Sequence, residues 1–365
     1  MTDYVATVRG QADRALLLRL ILRRIPRVLV AAAVVFALVF VLFWGKDTTY
    51  GSAINDPVDF FKVVLDSLTF AGLLFVVASG FTLIFGLMRV VNMAHGSFFL
   101  LGGLIAYYLQ QDFAGGGGFG LQSSQVSTWN WVLPAIIASA CLAAFGLITQ
   151  QLTLRWTQGQ DLRQALITIA ISVIVADQLL AHMNAGNQQD ISWPGSLDRF
   201  VSIGSIQYSL ARLFMLAAGV VIGALLWGWL HKTRTGMVIR AGVDDRAMVS
   251  ALGINIQLTF AIAFLVGSAL AGFGGVMGGS FAGLQTDVGG QWLLNSLIVV
   301  IIGGMGSLGG AAAGALLYAF VSNFSAIYLP TTSNNCCTEY SVAFTFALLA
   351  IVLAFRPLGL FGRPA

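Results

Sequence analysis

The chain has 365 residues, of which 58% are hydrophobic and only 9% charged, with 19 Lys and Arg against 15 Asp and Glu. A soluble domain carries roughly 25% charged residues, so a mean hydropathy of +0.85 excludes an ordinary water-soluble globule, and it is the opposite of a disordered composition. A net charge of +4 over this length is no nucleic-acid-binding patch either. What remains is an all-α, polytopic helical membrane protein, and about 20 apolar residues per crossing leave room for some ten segments.

In chain order, residues 1–26 form a basic segment too long, and too poor in small residues at its end, for a cleaved signal peptide. A single transmembrane domain is expected over 27–355, with a tail at 356–365. Apolar runs place segments at 27–44, 63–85, 96–109, 131–150, 163–181, 210–230, 258–281, 292–302, 311–329 and 340–355. The third and eighth are short, which leaves a re-entrant turn open for either. With the N-terminus inside, only Lys46, Lys62, Arg199 and Arg212 fall outside, and the C-terminus with Arg356 and Arg363 returns inside. Positive loops stay cytoplasmic, so both termini are expected there. Five segments on each side of the 182–209 loop would give two halves of opposite topology.

Outer loops 45–62, 110–130 and 182–209 are polar and modest, the middle one holding the flexible run Gly115–Gly118. Of the three cysteines, Cys141 stands alone and Cys336–Cys337 are adjacent in a loop. No cluster has metal-ligand spacing, so no metal site is expected.

The most informative stretch is the inner loop 231–257. Its period puts Val238, Ala241, Met248, Ala251 and Leu252 on one side, with Arg240, Asp244, Asp245 and Arg246 elsewhere, and Gly253 stops the helix. A short amphipathic helix is therefore expected on the inner face, either as a solvated connector or as a docking helix seated in a partner's groove. The chain contains no GxxxxGK[ST] phosphate loop, so energy must come from a partner or an ion gradient.

The run from Thr235-Gly236 through Arg240-Ala241 and Asp245-Arg246 to Leu252-Gly253-Ile254-Asn255 resembles the coupling loop of permease subunits in branched-chain amino-acid ABC importers. Three further stretches are similar to the same family in the same order: Gly86-Leu87-Met88-Arg89-Val90-Val91-Asn92-Met93-Ala94-His95-Gly96, Gly303-Gly304-Met305-Gly306-Ser307-Leu308-Gly309-Gly310, and Arg356-Pro357-Leu358-Gly359-Leu360-Phe361-Gly362. The family also includes permeases for urea and short amides. The resemblance implies a transport subunit that is no enzyme and binds no cofactor. It also implies a second homologous permease, two cytoplasmic ATP-binding subunits using ATP-Mg, and a periplasmic substrate-binding protein. The coupling helix, at about 237–251, would dock through Met237, Arg240, Asp244, Asp245, Arg246, Met248, Leu252 and Gly253.

Polar groups inside a membrane are costly, so each poses a question of function. Asn92 and His95 lie in the break before the third segment. Asp177 and Gln178 close the fifth. Asn295 and Ser296 precede the glycines Gly303 and Gly304 and Ser307. Each is readable as lining a substrate path or as serving packing, the outer interface or a helix end. Arg89 reads as an inner interfacial anchor. A stand-alone secondary transporter or channel for a small polar solute is the alternative reading, and for its coupling carboxylate only Asp177 and Asp66 approach a deep position. The sparse deep charge fits a small neutral or zwitterionic solute.

Overall fold

The computed structural model describes residues 57–88, 92–113, 126–157, 159–182, 188–203, 206–328 and 338–362. The chain divides into two compact units, and the one described below is Asp56–Ile327 with Thr331–Ala365. The basic segment 1–26, the first expected segment 27–44, Arg89, Gly115–Gly118 and Cys336–Cys337 lie outside the described residues.

Among the described residues the helices are α1 Pro57–Met88, α2 His95–Phe113, α3 Trp129–Leu152, α4 Asp161–His182, α5 Leu210–Lys232, α6 Arg234–Asp244, α7 Arg246–Ala251, α8 Ile256–Phe281, α9 Val288–Gly303, α10 Leu308–Tyr328 and α11 Thr338–Phe355. Six of them are long and apolar enough to cross a membrane, and two apolar stretches, Val288–Gly303 and Val342–Phe355, are shorter. The fold is helical, with one exception in the 182–209 loop. Strands β1 Phe200–Ile203 and β2 Ile206–Ser209 pair antiparallel there, Phe200 opposite Ser209 and Ile203 opposite Ile206. The alternation Ile206-Gln207-Tyr208-Ser209, buried at Ile206 and Tyr208 and exposed at Gln207, is the half-buried strand pattern. The intervening Gly204-Ser205 is the sequence signal for a two-residue connection.

A helix apolar on all sides is buried or faces lipid, and the helices divide on that basis. The apolar windows of α1 and α8 are 78% and 67% buried, whereas those of α4 and α5 are 17% and 22% buried. So α1 and α8 are the central pair, and α4 and α5 are peripheral. Glycine sets the approach at the centre, as expected where lipid supplies no hydrophobic drive between helices. A Cβ on Gly80 of α1 would stand 2.6 Å from the Gly267 carbonyl of α8, and one on Gly267 would stand 2.8 Å from the Gly80 carbonyl.

The same reciprocity recurs between the helices that follow. A Cβ on Gly96 in α2 would stand 2.1 Å from the Gly289 carbonyl of α9, and one on Gly289 would stand 3.0 Å from the Gly96 carbonyl. α1 starts at the hairpin end, where Asp66 meets Tyr208, and finishes at the 231–257 loop, where Gly86 meets Val243. α8 runs the opposite way, from Asn255 to Phe281 beside Arg212. α2 then runs toward the hairpin end, with Gln110 bonded to Ser192, while α9 runs toward the 231–257 loop. Two helix pairs of opposite direction, α1 with α8 and α2 with α9, therefore meet at the centre.

The breaks differ from a simple loop. α1 continues to Met88, about 16 Å beyond Val77, yet His95 at the start of α2 bonds the Val77 carbonyl. So α2 begins partway along α1 rather than at its end.

Candidate functional site

The first part of the site is the break at Asn92–His95. Asn92 closes an Asx turn, its Oδ1 accepting from Ala94 N–H at 3.1 Å while its carbonyl accepts from His95 N–H. Thr168 Oγ1 of α4 accepts from Met93 N–H at 3.2 Å. His95 is fully buried, its ring edge-on to Phe81 at 5.4 Å, and its Nε2 lies 3.0 Å from the Val77 carbonyl. A carbonyl accepts only, so Nε2 carries the proton and Nδ1 is left as an acceptor. Asn92 Nδ2 and His95 Nδ1 have no hydrogen-bond partner among the described residues, and neither does Ser296 Oγ, fully buried on α9. Such groups are costly to leave unpaired in a low-dielectric interior.

The second part is the 231–257 loop. Thr233 caps α6, accepting from Gly236 N–H at 3.1 Å. A Cβ on Gly236 would stand 2.3 Å from the Trp229 carbonyl, so this glycine lets α6 fold tightly back on α5. The helix expected at about 237–251 is in fact two. Asp245 is extended, and its Oδ1 caps α7 by accepting from Met248 N–H at 3.0 Å. That break resets the helical phase, so the expected single apolar side does not form. The buried residues are Gly236, Ile239, Gly242 and Val249, whereas Ala241, Met248, Ala251 and Leu252 are exposed and Val238 is half-buried. Gly253, at φ 77°, ends α7 as expected, with Ile254 N–H on the Val249 carbonyl. The loop thus presents Met237, Met248 and Leu252 outward at 61%, 61% and 72% exposure, among exposed Arg240, Asp244 and Asp245. Arg246 opens α7.

The third part is the α9–α10 turn. Gly304 and Gly306 adopt φ of 102° and 80°. Ser307 caps α10, its Oγ accepting from Gly310 N–H at 3.1 Å. A Cβ on Gly303 would stand 2.2 Å from the Gly310 carbonyl, so Gly303 serves close α9–α10 packing. The Arg356–Gly362 tail docks on this turn. Leu360 and Phe361 N–H donate to the Ile302 and Gly303 carbonyls at 2.9 Å, filling acceptors that the end of α9 leaves open.

Of the remaining sequence candidates, Asn295 is half-buried and its Oδ1 accepts from Tyr318 Oη at 2.7 Å. Asp177 and Gln178 are exposed near the end of α4 and do not join the buried groups at the breaks.

Sequence reasoning missed the architecture of the hairpin end. Asp66 of α1, noted only as a candidate deep carboxylate, pairs with Arg212 of α5 and accepts from Tyr208 Oη at 2.8 Å. Tyr208 also meets Thr69 Oγ1 at 3.0 Å. Burial, with the Asp66 carboxylate beside it, pushes the Tyr208 phenol up to about 12. An open recess of about 390 Å³ lies over Lys62, Asp66, Gln207, Tyr208 and Arg212. Another of about 450 Å³ lies over Asp190, Ser192, Trp193, Asp198 and Phe281. One acid and one base far apart in sequence gave no signal of their pairing. Among the described residues no Asp, Glu, Lys or Arg is fully buried.

A bundle of long apolar helices, with buried unpartnered polar groups at Asn92, His95 and Ser296 and a capped loop that exposes apolar side chains, has the form of a membrane transport protein. The chain belongs to the family described as the permease component of the branched-chain amino acid transport system, which matches residues 63–353. It is 27% identical over 312 residues to the high-affinity branched-chain amino acid transport system permease protein LivH of Salmonella typhimurium, covering 84% of this chain and 96% of that protein. It is 26% identical over 313 residues to LivH of Escherichia coli. It is also 26% identical over 312 residues to BraD of Pseudomonas aeruginosa, with the same coverage of 84% and 96%.

Proposed function

We propose that this chain is a transmembrane permease subunit of an ATP-driven importer for branched-chain amino acids. It forms the path and hydrolyses nothing itself. Two cytoplasmic ATP-binding subunits using ATP-Mg supply the energy, a second homologous permease completes the path, and a periplasmic binding protein delivers the substrate. On this reading the protein crosses the bacterial inner membrane about ten times with both termini cytoplasmic. Asn92, His95, Ser296 and the Gly303–Ser307 turn border the path.

The observation that carries the proposal is the 231–257 loop. Three large apolar side chains, Met237, Met248 and Leu252, stand exposed on helices whose other side is anchored by Ile239 at 3% exposure and Val249 at 3%. Capped and folded against α5, the loop is a projection of the form in which apolar anchors fill a partner's groove. The interior supports the same reading. With no fully buried carboxylate or cation among the described residues, nothing there has the character of an ion-coupling group. The substrate path is then suited to a small zwitterion with an aliphatic side chain.

The test is reconstitution in proteoliposomes with the cognate ATP-binding subunits, the second permease and the binding protein. Uptake of labelled leucine should require all components and ATP on the loop side. The triple variant Met237→Ser, Met248→Ser, Leu252→Ser should lose co-purification of the ATP-binding subunits with its own unfolding midpoint unchanged. Uptake by this chain without any ATP-binding subunit would sink the proposal, and selective uptake of urea over leucine would reassign the substrate.

A further inference from the structure

Three segments distant in sequence meet at the loop end of the bundle. A Cβ on Gly86, near the end of α1, would stand 3.0 Å from Gly306 Cα and 3.5 Å from Val243 Cγ2. A Cβ on Gly306, in the α9–α10 turn, would stand 3.3 Å from Val243 Cγ1 and 3.4 Å from Gly86 Cα. Val243 is on α6, so one branched side chain of the projecting loop lies beside both the end of α1 and the α9–α10 turn. Leu308, the first residue of α10, packs on the same apolar cluster as Val243, Leu83, Ile84 and Ile239.

Each touched segment leads to a helix break. α1 carries the Val77 carbonyl that holds His95, and α9 carries Gly289, which abuts Gly96. Gly304 and Gly306 hold left-handed φ values, and the tail grips the end of α9 through Leu360 and Phe361.

We propose that Val243 is a positioning residue for coupling: from its place beside Gly86 and Gly306 it passes displacement of the α6–α7 projection to the end of α1 and to the α9–α10 turn at once. This rests on the importer reading above. The side chain suits the task. A β-branched residue has few χ1 states in a helix, so its two methyls are a stiff wedge, and the two glycines present bare backbone to it. Tightly packed contacts transmit displacement rather than absorb it.

The experiment uses the complete transporter in proteoliposomes and reads leucine uptake and ATP hydrolysis together. Val243→Ala removes both methyls. Uptake per ATP hydrolysed should fall about two- to thirtyfold, the range by which residues along a coupling route act. The ATP-binding subunits should co-purify in the wild-type ratio, and Val243→Ile should restore coupling. Backbone hydrogen exchange over 304–310 should respond to a non-hydrolysable ATP analogue in the wild type and lose that response in Val243→Ala. An unchanged uptake-to-hydrolysis ratio with the exchange response intact would overturn the proposal. So would loss of the ATP-binding subunits from the complex, because Val243 would then serve docking. Wild-type uptake without the ATP-binding subunits would overturn the importer reading itself, whichever way Val243→Ala behaves.

Discussion

Replacing Gly275 with Ala tests whether backbone contact between α2 and α8 holds the centre of the bundle together. A Cβ at this position would stand 1.9 Å from the Phe99 carbonyl oxygen, 2.8 Å from its carbon and 2.9 Å from Gly103 N. The obstructing atoms belong to the α2 backbone, so no rotamer change relieves the clash. The two helices must separate by about 1.5 Å to restore an ordinary contact of about 3.4 Å. Separation also loosens Phe99, which is fully buried and stacked on Trp292 at 4.8 Å. Overpacking of this kind costs about 1–3 kcal/mol. Alanine's better helix propensity returns about 0.5–1 kcal/mol, so the net loss is up to about 2.5 kcal/mol, and the full clash of about 1–3 kcal/mol appears against a glycine-to-alanine control. In lipid the widened interface gains nothing from the hydrophobic effect to offset this. The assay is reversible unfolding of the purified protein in mixed micelles titrated with a denaturing detergent and followed by circular dichroism. Gly228→Ala is the control, because a Cβ there meets nothing within 4 Å. It should be neutral or stabilising by up to about 1 kcal/mol. Equal unfolding midpoints for the two variants would refute the reasoning.

Two other outcomes follow from named contacts. Gln150 is completely buried and neither of its side-chain polar atoms is partnered among the described residues. An unpaired buried amide costs about 1–3 kcal/mol, so Gln150→Leu should raise the unfolding midpoint, and a lowered midpoint would show that the amide is satisfied in the working protein. Tyr208 is held up to about 12 from an ordinary value of 10.0. The folded state therefore keeps a proton that the unfolded chain releases first. Its contribution to stability is complete below pH 10 and is lost as pH rises toward 12. The stability difference between wild type and Tyr208→Phe should shrink over that interval, and a difference constant through it would contradict the assignment.

Which features were legible in the sequence follows from the range of the interactions that decide them. Helix positions were readable because hydrophobic length is a local property. The observed helices extend the expected runs by a few residues at most ends, as α8 does in starting at Ile256 rather than Leu258. Gly253 as a stop was readable for the same reason, since a left-handed helix end is a one-residue signal. The single 237–251 helix was not correct, because Asp245 is chemically able to sit inside a helix or to cap one. The cap is chosen only once Ile239 and Val249 find their partners in the bundle. The paired role of Asp66 and Arg212 was invisible, since 146 residues separate them and neither carries a local cue.

By itself the sequence determined a membrane-spanning helical chain, a charged loop with apolar projections, and a set of glycine-rich breaks. These depend on composition and near-neighbour periodicity, which the solvent reads residue by residue. Only the tertiary structure decided that α2 begins partway along α1, so that His95 lies beside Val77. It alone brought Gly96 to Gly289 and Gly86 to Gly306 and Val243. Such contacts require backbones to approach within van der Waals range across elements far apart in the chain. A glycine permits that approach in many places, but what it packs against is set by the helix the fold lays beside it.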